Sequence, residues 1–147
     1  MLKKEDIEMG NKNESETIDV IDKTLETTLI KDEDKYSIFD WHNKDKTIFV
    51  ELKSRRLYKD KYPTTMIGTN KIKFCNDTTK SYYFFFKFFD GLYYIKYEKE
   101  LFKSFDIKCN VKINYRNDVN KNEFRDFIYI PVNKLLKIWF FFIFSFF

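Results

Sequence analysis

Two aromatic runs meet at an Asp-Gly pair. Ser81 to Phe89 reads Ser-Tyr-Tyr-Phe-Phe-Phe-Lys-Phe-Phe, Leu92 to Tyr97 reads Leu-Tyr-Tyr-Ile-Lys-Tyr, and Asp90-Gly91 stands between them. Aromatic residues favour pleated strands, and Asp-Gly is the strongest short hairpin signal a sequence carries. An unbroken aromatic run has no polar face, so these strands belong in a sheet covered on both sides. Such rings can also stack on nucleic-acid bases, but sheet core accounts for them better.

A second strand-like stretch carries charge. Thr47-Ile48-Phe49-Val50 is β-branched and apolar, and Glu51-Leu52-Lys53 follows before Ser54-Arg55-Arg56. Side chains alternate along a strand, so Glu51 and Lys53 share one face and Val50 and Leu52 the other. Ionised groups are costly to bury unless paired or metal-bound. Upstream, Tyr36-Ser37-Ile38-Phe39-Asp40-Trp41 reads as another strand, joined through the polar turn His42 to Lys46. An antiparallel hairpin of that kind brings Asp40, eleven positions before Glu51, beside Glu51 and Lys53. Two carboxylates with room for water suit a hard cation such as Mg²⁺ or Mn²⁺. The bland reading is a cross-strand ion pair worth about 0.2–1 kcal/mol.

Asp40 followed by Glu51-Leu52-Lys53 on the next strand resembles the PD-(D/E)XK nuclease superfamily. The strings YSIFDW, IFVELKSRR and YPTTMIGTNKIKF are similar to PD-(D/E)XK-like proteins of large DNA viruses, a likeness covering residues 10–136. Phe39 stands where the motif name has Pro. The resemblance implies an α/β fold: a restriction-endonuclease-like αβββαβ core with a central mixed sheet flanked by helices, to which this chain adds C-terminal strands. It implies a metal-dependent nuclease acting on DNA, or a catalytically inactive nucleic-acid-binding or assembly module on the same fold. Asp40, Glu51 and the backbone carbonyl of Leu52 would hold the metal, and Lys53 would position the attacking water. A Glu on the first helix often joins such sites, making Glu14 the candidate. A basic or amide residue on the helix after the Glu-x-Lys strand would be Lys71, with Asn70 second. No small-molecule cofactor is implied, and the setting would be intracellular, in host cytoplasm or a virus factory.

Composition bounds the rest. The 147 residues are enough for one core, and 20% are aromatic, which argues against disorder away from the ends. Twelve acidic and six basic residues up to Asp40 leave −6, so the remainder carries +10 of the overall +4. From Lys53 to Lys73 there are seven basic residues and one acid. Arg55, Arg56, Lys59, Lys61, Lys71 and Lys73 are therefore the candidate phosphate contacts, with Tyr58, Tyr62, Thr64, Thr65 and Asn70 as hydrogen-bond donors. An ordinary solvated basic face explains the same charges. Cys75 and Cys109 lie far apart with no second Cys or His at ligand spacing, which argues against zinc and against a disulfide framework and points to a reducing compartment. No apolar signal opens the chain, so secretion is not expected.

The remaining expectations are organisational. Residues 1–12 form a flexible leader and 13–137 a single domain, beginning with an amphipathic helix from Asn13 toward Leu29 in which Ile18, Ile21 and Leu25 recur at helical spacing. Ile30 to Asp34 is a connection, and His42 a solvated loop residue. Pro63-Thr64-Thr65-Met66 opens a helix. Glu98 to Phe105 is a short helix, Ile107 to Tyr115 a half-buried strand, Arg116 to Glu123 a loop, Phe124 to Val132 a strand and Asn133 to Lys137 a closing helix. The aromatic tail 138–147 is shorter than the ~20 residues that span a bilayer, yet membrane contact through it is one possible use.

Overall fold

Ile18 and Ile21 are buried and Leu25 half-buried on one stripe of a helix that packs against the sheet. The computed structural model describes residues 4–112 and 123–139. Within them the chain runs α1 (Lys4–Leu25), β1 (Leu29–Lys31), β2 (Trp41–Asn43), β3 (Ile48–Ser54), β4 (Thr64–Gly68) and α2 (Thr69–Ile72). It continues through β5 (Ser81–Phe88), β6 (Gly91–Lys96), α3 (Lys99–Lys103), β7 (Asp106–Lys112), β8 (Glu123–Pro131) and β9 (Leu136–Ile138). The helix starts at Lys4, within the stretch expected to be a leader, and Leu29 belongs to β1 rather than to its end.

Six strands form a mixed sheet in the order β1-β2-β3-β5-β6-β9, and β4-β8-β7 form a second, antiparallel sheet. Only β3 and β5 pair in parallel among the described strands. The fold is therefore mixed α/β with few helices. Alternation along β5 separates two cores. Phe84, Phe86 and Phe88 pack with Ile67, Ile128 and Ile130 of the second sheet. Phe85 on the opposite face packs with Val50, Leu92, Ile18 and Ile21. Phe84, Phe85 and Phe86 have no exposed surface, and each contributes about 1.5–3 kcal/mol of burial. The sheet was expected to be flanked by helices; α1 covers one face, and the second sheet with α3 residue Phe102 covers the other.

The β5–β6 hairpin forms as expected, with Phe88 opposite Gly91. Gly91 takes φ 148°, a region side chains disfavour. Other segments depart from expectation. Residues after Pro63 form strand β4, not a helix, because Thr65 and Ile67 alternate into the core and pair with Ile130 and Ile128. Asn133 to Lys137 is not a helix either: a 3₁₀ turn at Val132–Lys134 leads into β9, which adds to the edge of the large sheet. Residues 106–110 of β7 are exposed throughout, Ile107 at 60%, so the strand is not half-buried there. Tyr115, the 116–122 part of the expected loop and residues 140–147 of the tail lie outside the described residues.

The strand expected at Tyr36 begins only at Trp41. Asp32 and Asp34 accept hydrogen bonds from the Asp34 and Tyr36 amides, and Asp32 also takes the Ser37 hydroxyl at 2.7 Å. These local bonds compete with a strand ladder and fold the segment into turns.

Candidate active site

Buried Asn43 sets the register that builds the site. Its Oδ1 accepts from the amides of Thr47 and Ile48 at 2.9 and 3.0 Å, and its Nδ2 donates to the Thr47 hydroxyl. The tight turn so formed pairs Trp41 with Val50 and His42 with Phe49. Asp40 then lies one step past the ladder, opposite Glu51. His42 is in β2, half-buried, with Nδ1 2.8 Å from its neighbour's carbonyl, instead of in a solvated loop.

Glu51 is 1% exposed, on the face of β3 turned toward the second sheet. Its Oε1 is 2.7 Å from Lys53 Nζ and its Oε2 is 3.3 Å from Lys71 Nζ. Lys71 also donates to the Ile38 carbonyl. Its approach to Oε2 is close but poorly directed, and no N–H donates to that buried oxygen. Burial first, then the Glu51 charge, push the Asp40 carboxyl above its ordinary range, with a hydrogen bond to Glu51 acting the same way; Lys71 and Lys53 pull against them. Two acids and two ammonium groups thus share one pocket, two on β3, one just before β2 and the fourth on α2. A buried network of this kind is stabilised by completeness, since removing one member strands the others.

Could a divalent cation fit? Asp40 and Glu51 offer adjacent carboxylates, and Glu51 Oε2 is an acceptor without a directed donor. The donor set is all oxygen, which suits a hard cation. Among the described residues no group of three or more His, Cys, Asp or Glu converges, so backbone carbonyls or water would complete such a shell.

Glu14 already has a partner. It pairs with Lys31 at 3.3 Å, on the α1 side of the sheet. It lines a cleft of about 550 Å³ together with Asp40, Leu52, Arg55 and Arg56. Asp40 and Leu52 are where that cleft meets the carboxylate pocket. Among the expected phosphate contacts, Arg56 is exposed on the cleft. Arg55 instead ties β3 to β4, donating to the Met66 carbonyl at 2.8 Å, and burial lowers its pKa. Lys59 lies over the Tyr93 ring and 3.4 Å from Asp60. Lys61 is exposed, and Lys73 opens on a separate cleft beside Cys75 and Tyr97. Lys87, which lines the first cleft, went unnoticed in the sequence because it sits inside an aromatic run.

Cys75 is buried and its thiol is pushed up to about 12, so it cannot serve as a nucleophile at neutral pH. No described helix is long and apolar enough to cross a membrane. No family model, curated protein or solved structure matches the chain.

Proposed function

We propose that this chain is a metal-dependent nuclease that hydrolyses DNA phosphodiester bonds, built on a PD-(D/E)XK-like core. The observation that carries the reading is Glu51: a buried carboxylate facing Asp40, salt-bridged to Lys53 at 2.7 Å, with a second oxygen lacking a directed donor. Element order supports it as well. A first helix precedes three antiparallel strands, and a crossover containing α2 leads to β5, parallel to β3.

Asp40, Glu51 and the Leu52 carbonyl would hold Mg²⁺ or Mn²⁺, which supplies Lewis-acid stabilisation of the phosphate and a more acidic water. Lys53 is 36% exposed at its side chain and anchored by Glu51, so its ammonium can orient a water while reaching solvent. Arg56 presents its guanidinium to the cleft, where a phosphate backbone would lie. Incubating the protein with single- and double-stranded DNA in Mg²⁺, with EDTA and Lys53→Ala as controls, tests the assignment. Cleavage should vanish in both controls; cleavage surviving both refutes it.

One observation favours a second reading, a catalytically inactive nucleic-acid-binding or assembly module. Both Glu51 oxygens already have a lysine ammonium within 3.3 Å, which neutralises the carboxylate without any metal. That reading predicts DNA binding without hydrolysis, unchanged by Asp40→Ala.

A further inference from the structure

Three large rings are exposed near one end of the central sheet, where hydrophobic burial would ordinarily hide them: Tyr58 at 63%, Tyr62 at 56% and Phe89 at 63%. Tyr58 and Phe89 meet edge to face at 5.5 Å. Their backbone is tied down. Arg55 donates to the Lys87 carbonyl at 2.8 Å, Phe89 to the Leu57 carbonyl at 3.0 Å, and Lys59 to the Asp90 carboxylate at 3.0 Å. The rings are therefore presented by a braced loop rather than by loose chain ends.

Phe89 and Tyr62 line two adjoining clefts, one of which reaches Asp40, and Tyr58 packs on the Phe89 ring. The cleft lined by Asp40 and Arg56 includes Lys87 and Phe89, and it shares Arg55 and Phe88 with a second cleft of about 360 Å³ lined by Lys59 and Tyr62. Cations thus alternate with rings along these clefts. Of the acids along them, Glu14 pairs with Lys31, Asp60 pairs with the Lys59 ammonium, Asp90 accepts from the Lys59 backbone amide, and Asp40 belongs to the carboxylate pocket. A polyanion alone would need only the cations, and an apolar partner only the rings. A ligand that uses both carries phosphates and uncovered aromatic faces, as a single nucleic-acid strand does. A duplex keeps its bases stacked on each other and offers those faces only at its ends.

We infer that the path from Asp40 through Arg56 and Phe89 to Tyr62 binds a single-stranded segment of DNA, with phosphates on Arg56 and Lys87 and bases stacked on Tyr58, Tyr62 and Phe89. The identity of the polymer rests on the nuclease reading; the preference for unpaired bases rests on the rings. Fluorescence anisotropy of a labelled oligothymidylate, in EDTA so that no cleavage occurs, tests it against a duplex of equal length and against polyglutamate as competitor. The single strand should bind more tightly than the duplex, and polyglutamate should displace it poorly. Tyr58→Ala, Tyr62→Ala and Phe89→Ala should each weaken single-strand binding about tenfold, leaving duplex binding unchanged, while Tyr62→Phe binds like the parent. A Tyr62→Trp variant should lose fluorescence on binding, which reports stacking in the folded protein. Equal affinity for both forms, or displacement by polyglutamate at matched charge, overturns the inference even if the protein cleaves DNA. Tight single-strand binding without any cleavage keeps it while refuting the nuclease.

Discussion

The Lys71 ammonium lies 3.3 Å from Glu51 Oε2 and is held there by the Ile38 carbonyl. It joins α2 to β3 and to the segment entering β2, the three parts that make the carboxylate pocket. The same ammonium occupies the side of Glu51 at which a divalent cation would bind. Lys71 is thus a structural tie and, if the proposed metal binds Glu51, a competitor with it.

Replacing it separates those roles. Lys71→Met should lower stability in EDTA by about 2 kcal/mol, because a buried carboxylate loses one of its two partners. Mg²⁺ should restore more stability to the variant than it adds to the parent, since the competing charge has gone. Urea denaturation with and without Mg²⁺ measures both quantities. Equal Mg²⁺ effects in the two proteins would show that the cation does not bind at Glu51.

Glu51→Gln keeps the shape and removes the charge. Lys53 and Lys71 then keep only Asp40 as a nearby acid, at a cost of about 2 kcal/mol reduced by the partial exposure of Lys53. Any rise in melting temperature on adding Mg²⁺ or Mn²⁺ should disappear with it. A thermal shift that persists in the variant places the metal elsewhere.

How much of this was legible beforehand depended on how local the deciding contacts are. Asp40, Glu51 and Lys53 can be brought together from sequence because one short turn sets their register, even though the strand expected over Tyr36 to Trp41 is turns up to Asp40 and the strand itself is Trp41–Asn43. The β5–β6 hairpin was readable for the same reason. Strand β4 was not: Pro63 suits a helix start or a strand start, and the choice is made by β8, whose Ile128 and Ile130 lie far along the chain. Nor could the exposure of Phe89 be foreseen, since Phe88 beside it is buried only because the second sheet covers that face. Charge alone marks Lys71 as a phosphate contact, and only the resemblance marks it as a site residue; the strand-then-helix path that delivers it to Glu51 differs from the helix expected.

The two thiols should report the fold directly. Cys109 is exposed and Cys75 buried, with the latter's pKa pushed to about 12. Iodoacetamide at neutral pH should modify Cys109 alone in the native protein, and both after denaturation, as read by peptide mass spectrometry. Rapid native labelling of Cys75 would mean that the packing beneath α2 is open.

Acid titration probes the carboxylate pair itself. The Asp40 carboxyl is raised above 3.8, chiefly by burial and then by Glu51, so the folded protein keeps this proton at a pH where the unfolded chain has lost it. Its contribution therefore favours the fold most at pH below 3.8, weakens as pH rises toward the folded value, and is level above that. Asp40→Asn cannot ionise, so relative to the parent it should gain stability across that window and hold the gain at neutral pH in EDTA. A cation needs the ionised Asp40 carboxylate, so on the proposed metal reading Mg²⁺ should bind the parent more tightly as pH rises through the same window and bind Asp40→Asn weakly throughout. Urea midpoints of both proteins at a series of pH values, repeated with Mg²⁺, give the comparison. Parallel curves for the two proteins would mean that Asp40 and Glu51 do not share a pocket in solution, and the metal assignment would fall with them.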